Sequence, residues 1–153
     1  MKKVQIKAYE DKFHQQFKDI SLDWLHANGL YEKADDALLD HPKKYIENGS
    51  LIFLAHYNDE IAGTVTLSPL KNNTYEIMKL GVIDRYKGLG IGAKLMELCI
   101  DICQNKEVKL ITLDTSSKLK KAIKLYEKFG FEHVAITDSY YESADVKMEL
   151  KLR

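Results

Sequence analysis

A glycine-rich segment near the middle of the chain has the composition of a phosphate-binding turn. A strand-like stretch, residues 76–82, runs into Asp84-Arg85-Tyr86-Lys87-Gly88-Leu89-Gly90-Ile91-Gly92, and an amphipathic stretch follows. Glycine lets the backbone turn tightly and leaves its amides uncovered, so several N–H groups can point at one anion. A helix that begins here adds its unpaired N-terminal amides and the positive end of its dipole. The segment therefore predicts a site for a phosphorylated ligand.

Two common phosphate motifs can be compared with this turn. A Walker A loop has the form G-x-x-x-x-G-K-[ST], but the chain continues Gly92-Ala93-Lys94-Leu95 and lacks the hydroxyl that binds magnesium. The dinucleotide fingerprint G-x-G-x-x-[GA] is matched by Gly88-x-Gly90-x-x-Ala93, and Asp114 ends the next strand about where a ribose-binding acid belongs. The Walker interpretation fails, whereas a dinucleotide site remains an alternative.

Three features weigh against the dinucleotide alternative. The strand that leads into the turn carries Glu76 and Lys79, unlike the apolar strand of that fold, which is buried on both faces. Five residues separate Val82 from Gly88, where the fingerprint requires a tight strand-to-helix turn. The segment also lies mid-chain, which leaves too little sequence for two nucleotide-binding halves. We therefore rank a nucleotide-binding oxidoreductase fragment last.

The overall composition limits the classes of protein to consider. With 153 residues we expect one domain, residues 1–153, with a proper core. Basic and acidic residues balance at 23 each, so no net field attracts nucleic acid or a membrane. There is no apolar signal region or membrane-length apolar run, and we expect a cytoplasmic protein. The cysteines and histidines lack metal-ligand spacing, and we expect no metal.

The elements that must position the turn follow from hydrophobic periodicity and from breaker residues. Strands are predicted at Val4–Tyr9, Leu51–Tyr57, Ile61–Leu70, Thr74–Val82, Lys109–Asp114, Phe131–Thr137 and Ala144–Leu152. Helices are predicted at Asp11–Asn28, Asp35–Asn48 with an interruption at Pro42, Leu89–Gln104 and Leu119–Phe129. The order β-α-α-β-β-β-α-β-α-β-β predicts an α/β (α+β) fold. It has a mixed, mostly antiparallel sheet of about six or seven strands with about four helices, and it is parallel around the glycine turn.

Three segments together resemble one enzyme family. Arg85-x-x-Gly88-x-Gly90-x-Gly92 resembles the signature of the GCN5-related N-acetyltransferases (GNAT), whose loop holds the pyrophosphate of acetyl-coenzyme A. Upstream, Glu76-x-x-Lys79-Leu80-x-Val82 resembles the central strand of the family, and downstream, residues 122–131 resemble its A-[IV]-x-L-Y-x-x-x-G-F segment. These segments span about 55 residues in the family order. One departure is Leu119, where many members have an asparagine, so a helix cap or cofactor hydrogen bond is missing or replaced.

The resemblance implies acetyl-coenzyme A as co-substrate, no metal, and transfer of the acetyl group to a primary amine by direct attack in a ternary complex. The backbone of Leu80 and Val82 would pair with the pantetheine arm, and the amides of residues 87–92 would bind the pyrophosphate. The implied cofactor-binding residues are Leu80, Gly81, Val82, Arg85, Tyr86, Lys87, Gly88, Leu89, Gly90, Ile91 and Gly92.

Two side chains are the candidate catalytic groups on this interpretation. A protonated amine cannot attack a thioester, and Glu76 on the cofactor-side strand is the candidate general base, acting through water. Tyr126 is the candidate acid that protonates the departing coenzyme A thiolate. An exposed strand residue and a core-edge aromatic are the structural alternatives for Glu76 and Tyr126 respectively.

The acceptor side is less clearly encoded. Acidic and aromatic residues of the first two helices and the late loop could receive a cationic amine, and the candidate substrate residues are Trp24, Tyr31 and Tyr140. A solvated acidic helix face with core aromatics is the alternative. The expected partner is a small-molecule or peptide amine, and the late strands offer edges through which a homodimer could pair. A non-catalytic module that binds or senses acyl-coenzyme A is the alternative function.

Overall fold

The computed structural model describes residues 4–136 and 142–152, and its seven strands form one sheet in the order β1-β2-β3-β4-β5-β7-β6. The strands are β1 (Val4–Ala8), β2 (Leu51–Tyr57), β3 (Glu60–Leu70), β4 (Thr74–Val82), β5 (Leu110–Thr115), β6 (Glu132–Val134) and β7 (Val146–Lys151). The helices are α1 (His14–Ala27), α2 (Asp36–Asp40), α3 (Pro42–Glu47), α4 (Ile91–Asn105) and α5 (Lys120–Lys128). The predicted fold class is confirmed.

The parallel pairing of β4 with β5 is short, and this creates a cleft inside the sheet. All other neighbouring strands pair antiparallel. β4 and β5 pair only from Thr74 with Leu110 to Glu76 with Thr112, although β4 continues to Val82. The last six residues of β4 therefore pair with β3 alone and leave one backbone edge available at the centre of the protein.

A β-bulge interrupts β4 where it passes this cleft. Thr64 of β3 lies opposite Gly81 and Thr66 lies opposite Met78, so β4 contains one more residue than β3 over this interval. Lys79 lies within the bulge and has a left-handed backbone conformation, with φ of 55°. Non-glycine residues seldom adopt this conformation, and it occurs where the surrounding structure enforces it.

The helices cover both faces of the sheet and form two cores. The α4-side core contains Leu95 and Cys99 of α4 together with Val65 of β3. The α1-side core contains Phe17 of α1 and Leu54 of β2. Because both faces are buried, the sheet holds the β4–β5 cleft on a rigid frame.

The predicted second helix is two helices in the structure. Pro42 occupies the first turn of α3, and α2 ends at Asp40. A proline in a helix interior removes a hydrogen bond and clashes with the preceding turn, whereas it is tolerated in the first turn. The chain therefore stops one helix and starts another at the residue that the sequence marked as an interruption. None of the helices in the described ranges is long and apolar enough to cross a membrane.

Candidate active site

The glycine turn joins β4 to α4 through backbone conformations that side chains disfavour. Gly88 and Gly90 have φ of 85° and 77°, in the left-handed region. A Cβ built on either residue would meet no atom within 4 Å, so the backbone here faces open space. Gly90 is the N-cap of α4 and provides no side-chain hydrogen bond to the first amides. These amides remain available to an anion.

A cavity of about 700 Å³ lies beside this turn, and we call it the cofactor cavity. The cavity is bounded by the end of β4, the glycine turn, and the starts of α4 and α5. Its lining residues are Trp24, Asn28, Leu80, Gly81, Val82, Tyr86, Lys87, Gly88, Gly90, Ile91, Gly92, Ala93, Lys118, Leu119, Lys120, Lys121, Ala122 and Leu125. Nine of the eleven predicted cofactor-binding residues are in this set.

The cofactor cavity has the electrostatic character that a polyanion requires. Its lining includes Lys87, Lys118, Lys120 and Lys121 and contains no aspartate or glutamate. The N-cap of α5, Leu119, supplies no side-chain hydrogen bond, so a second helix start with available amides faces the cavity. Lysine charges and two helix N-termini therefore act on one space.

The other two predicted cofactor residues do not line the cavity. Arg85 is 67% exposed, forms an ion pair with Glu60 and lies over the ring of Tyr86. Leu89 is 45% exposed and points away from the core. Phosphate binding by the Arg85 side chain stays a prediction, and it requires that the ion pair with Glu60 open.

A second cavity of about 70 Å³ adjoins the first, and we call it the acceptor cavity. It lies over the early part of β4 and the end of β5. Its lining residues are Trp24, Leu25, Leu30, Asp35, Glu76, Ile77, Met78, Lys79, Asp114, Thr115, Ser116, Leu119, Ser143 and Ala144. Three of these residues are acidic and one is basic, so its charge is opposite in sign to that of the cofactor cavity.

Glu76 is placed in the acceptor cavity at the last residue pair that β4 and β5 share. Burial raises the pKa of the Glu76 carboxyl above the ordinary 4.5, and the neighbouring Asp114 carboxylate adds to this effect. The cations of Lys147 and Lys79 oppose it. A carboxylate with a raised pKa holds a proton more readily, which suits a base that must take one from an ammonium.

A buried ion pair connects the β4 bulge to the segment before α2. The Lys79 Nζ lies 2.5 Å from Asp35 Oδ1, and the two side chains are 7% and 2% exposed. The other oxygen of Asp35 accepts a hydrogen bond from the Glu32 backbone N–H at 2.9 Å. Burial lowers the pKa of Lys79 even though Asp35 acts in the opposite direction. The pair fixes one wall of the acceptor cavity.

Glu32 joins this wall to the segment that precedes β7. Its carboxylate accepts backbone N–H groups from Glu142 and Ser143 at 2.8 and 2.6 Å, and the Ser143 hydroxyl also donates to it. Burial alone would raise the pKa of Glu32, but these hydrogen bonds outweigh it and the pKa is lowered. Ser143 itself lines the acceptor cavity, so Glu32 holds two of its walls together.

Tyr126 lies in the α4-side core, with 5% of its surface exposed, and lines neither of the two cavities. Its ring packs at a tilt against Phe131, with centroids 6.1 Å apart. Burial raises the pKa of this phenol. A protonated hydroxyl can donate, and the role of Tyr126 as an acid stays a prediction.

The three candidate substrate residues have different positions. Trp24 lines both cavities. Tyr31 lines neither; its ring stacks on His26, and its hydroxyl donates to Asp36 at 2.6 Å, which raises the pKa of Tyr31 to about 12. Tyr140 lies outside the described residues.

Several residues that line the two cavities could not be predicted as site residues from the sequence. Asp114 was considered only as a ribose-binding acid, but it lines the acceptor cavity beside Glu76. Lys120 has no motif in the sequence, and only its position at the start of an uncapped helix could have indicated it. Within the described part of the chain, no group of three or more His, Cys, Asp or Glu residues is arranged to hold a metal ion.

Known proteins with similar sequences identify the family of this chain. Residues 8–131 match the profile of the Acetyltransferase (GNAT) family. An uncharacterized N-acetyltransferase, YjgM of Escherichia coli K12, is 29% identical over 113 residues, which cover 72% of this chain and 68% of that protein. N-alpha-acetyltransferase 50 of Danio rerio is 34% identical over 105 residues, with 65% of this chain and 62% of that protein covered.

Solved structures show the same fold. A GNAT-family acetyltransferase from Staphylococcus aureus Mu50 superposes with a TM-score of 0.91 at 23% identity, covering 99% of this chain and 100% of that chain. The PaiA N-acetyltransferase of Thermoplasma acidophilum, in complex with coenzyme A, superposes with a TM-score of 0.80 at 19% identity, covering 98% and 99%. The chain belongs to the GNAT acetyltransferase family, whose members are N-acetyltransferases that use acetyl-coenzyme A. The family resemblance of the three sequence segments is thereby confirmed.

Proposed function

We propose that this protein transfers an acetyl group from acetyl-coenzyme A to a cationic primary amine by direct attack in a ternary complex. One observation carries the proposal: a basic cavity and an acidic cavity meet at the β4 bulge, and Glu76 lies on the acidic side. A phosphorylated donor and a cationic acceptor would each be attracted to their own cavity. The acyl group and the amine would meet at the β4 bulge, where the strand stops lining the acceptor cavity and begins to line the cofactor cavity.

The residues of the cofactor cavity suit coenzyme A in their charge and in their available backbone groups. The open turn around Gly88 and Gly90 would hold the pyrophosphate on backbone amides, and the lysines would neutralise the phosphates. The available edge of β4 from Leu80 to Val82 would pair with the amides of the pantetheine arm as an added strand would. Acetyl-coenzyme A supplies the activated acyl carbon when it is bound.

Glu76 would prepare the acceptor. An amine arrives as an ammonium ion and must lose a proton before its nitrogen lone pair can attack. The Glu76 carboxylate, with its pKa raised by burial and by Asp114, would take that proton directly or through one water. Tyr126 would give its phenolic proton to the thiolate that leaves, because its buried hydroxyl is protonated at neutral pH.

The charge of the acceptor cavity favours a cationic amine over an acceptor that carries carboxylates. Asp35 is neutralised by Lys79, whereas the carboxylates of Glu76 and Asp114 both line the cavity and repel each other, with partial compensation by Lys147. An ammonium group would relieve this repulsion, and a carboxylate would add to it.

The test is a panel of amines with free-thiol release as the readout. Unbranched diamines, lysine-containing peptides, peptides with free N-termini and aspartate are each supplied with acetyl-coenzyme A. We expect turnover with cationic amines and little with aspartate. Binding of coenzyme A, seen as a rise in melting temperature, without turnover of any amine would refute the enzyme and favour the acyl-coenzyme A sensor.

A further inference from the structure

The two cavities adjoin, and three segments of the chain contribute residues to both of them: β4, α1 and the connection from β5 to α5. Along β4, Met78 and Lys79 line the acceptor cavity, whereas Leu80 to Val82 line the cofactor cavity. The change therefore falls at the bulge. An acyl group carried by the cofactor must reach this boundary to be attacked from the acceptor side.

Only two of the described residues line both cavities, and both of them pack against the α1-side core. On α1, Leu25 lines the acceptor cavity, Asn28 the cofactor cavity, and Trp24 both. Between β5 and α5, residues 114–116 line the acceptor cavity, Lys118 the cofactor cavity, and Leu119 both. The boundary is therefore formed by an indole, an isobutyl group and the strand backbone, all apolar in character except for the peptide groups.

Trp24 packs on β4 at Gly81, where the strand has no side chain. A Cβ built on Gly81 would lie 3.1 Å from the indole Cδ2 and 3.2 Å from Cγ, closer than ordinary van der Waals contact. The indole therefore packs directly on the backbone of β4, two residues beyond the bulge. It occupies the space beside the strand at the boundary of the two cavities.

We propose that Trp24, together with Leu119, is the wall that limits the length of the acyl group, so that acetyl is accepted and longer chains are rejected. The inference rests on the proposed function, because it assigns the boundary to the acyl group of the cofactor. A two-carbon group ends at the boundary. A four-carbon group adds two methylenes, which would have to displace the indole or pass it into the acceptor cavity, in the space that the amine needs.

The expected selectivity follows from the discrimination that a packed apolar pocket achieves. One methylene changes binding or turnover by roughly 10- to 200-fold. The wild-type protein should therefore bind butyryl-coenzyme A at least about tenfold more weakly than acetyl-coenzyme A. Trp24→Ala removes a side chain larger than two methylenes, and the ratio of the dissociation constants for butyryl- and acetyl-coenzyme A should fall to about threefold or less.

The experiment measures dissociation constants for free coenzyme A, acetyl-coenzyme A and butyryl-coenzyme A, by calorimetry, in the wild type and in Trp24→Ala. Trp24→Phe keeps an aromatic ring of smaller size and should give an intermediate ratio, which protects the test if the alanine variant folds poorly. Leu22→Ala is the matched control, because Leu22 lies on the same helix, is partly buried and lines neither cavity. Its ratio should equal that of the wild type.

A second readout reports on Trp24 itself. It is the only tryptophan of the chain, so the intrinsic fluorescence comes from this residue alone. Acetyl-coenzyme A should change the emission spectrum differently from free coenzyme A, because the acyl group is the only difference between the two ligands. Identical spectra with the two saturating ligands would overturn the proposal. So would an unchanged acetyl-to-butyryl ratio in both Trp24 variants.

The proposal and the proposed function fail in different ways. Absence of coenzyme A binding to the wild type would overturn both. Binding with the expected acyl selectivity but without turnover of any amine would refute the transferase and support the wall. Turnover of an amine at equal rates with acetyl- and butyryl-coenzyme A would support the transferase and refute the wall.

Discussion

Removal of one partner of the buried pair of Asp35 and Lys79 should strongly destabilise the fold, because it leaves a buried charge uncompensated, and it gives a quantitative test of the site architecture. Asp35→Asn keeps the shape of the side chain but removes its charge. The Lys79 ammonium then stays buried without this carboxylate, and one face of the new amide must meet a donor, either the ammonium or the Glu32 N–H. Breaking a buried pair by removing one partner costs about 3–5 kcal/mol.

The lower end of this range applies here, because the Glu76 and Glu32 carboxylates also act on the Lys79 charge. A loss of about 3 kcal/mol in a protein of this length lowers the melting temperature by roughly 6–12 °C. Thermal unfolding followed by circular dichroism, with urea unfolding as a second measure, provides the assay. Lys79→Met added to Asp35→Asn should recover part of the loss, since an apolar isostere removes the buried charge.

An exposed ion pair provides the matched control. Lys18 and Asp40 are 2.6 Å apart, but their side chains are 37% and 38% exposed. Asp40→Asn should therefore leave the melting temperature nearly unchanged, because exposed pairs are screened and contribute little. A fall of less than about 2 °C in Asp35→Asn, or a double variant no more stable than the single one, would contradict the importance of the pair.

Three further predictions concern the catalytic groups and the close approach of β3 to β4. Glu76→Gln should lower turnover about 10²- to 10⁴-fold with coenzyme A binding intact, and the acid limb of the wild-type pH–rate profile should lie above the ordinary glutamate pKa of 4.5. Because that pKa is raised in the folded state, the ionised Glu76 carboxylate destabilises the fold. The Glu76→Gln variant should therefore have a higher melting temperature than the wild type at neutral pH, and it should lose this advantage below the unfolded-state pKa. Equal melting temperatures at pH 7 would contradict this. Tyr126→Phe should lower thiol release at least tenfold, and normal turnover would remove Tyr126 from the mechanism. Gly63→Ala should destabilise by about 1–3 kcal/mol, because its Cβ would lie 2.9 Å from the Gly81 carbonyl oxygen, whereas Gly92→Ala, with its first contact at 3.5 Å, should not.

The parts of the fold that depend on local chemistry could be predicted from the sequence. Asn58 and Asp59 lie between two predicted strands and both have positive φ in the turn between β2 and β3, a conformation that these two residue types tolerate. Pro42 marked a helix boundary, and the glycines marked the turn before α4. In each case one residue type has few allowed conformations, so its identity determines the backbone near it.

The parts that depend on partners distant in sequence could not be predicted. The ion pair between Arg85 and Glu60 joins residues 25 positions apart and takes the Arg85 side chain out of the cofactor cavity. Thr64, Thr66 and Ser68 alternate with apolar residues of β3, yet all three are buried because α1 covers that face. A periodic pattern shows which residues share a face but not what covers it.

The bulge at Lys79 determines which residues of β4 face each of the two cores, and no glycine or asparagine at this position predicts it. Tyr75 and Ile77 contact the α4-side core and Met78 contacts the α1-side core, but beyond the bulge it is Leu80 and Val82 that contact the α4-side core. The alternation therefore changes from odd to even positions across one extra residue. Without that residue, every position after it would move to the opposite face. The backbone that leads to the glycine turn would then present different groups to the cleft. The left-handed conformation of Lys79 and its buried pair with Asp35 are thus two parts of one arrangement: the ion pair holds the strained residue, and the strained residue separates the acidic cavity from the basic one.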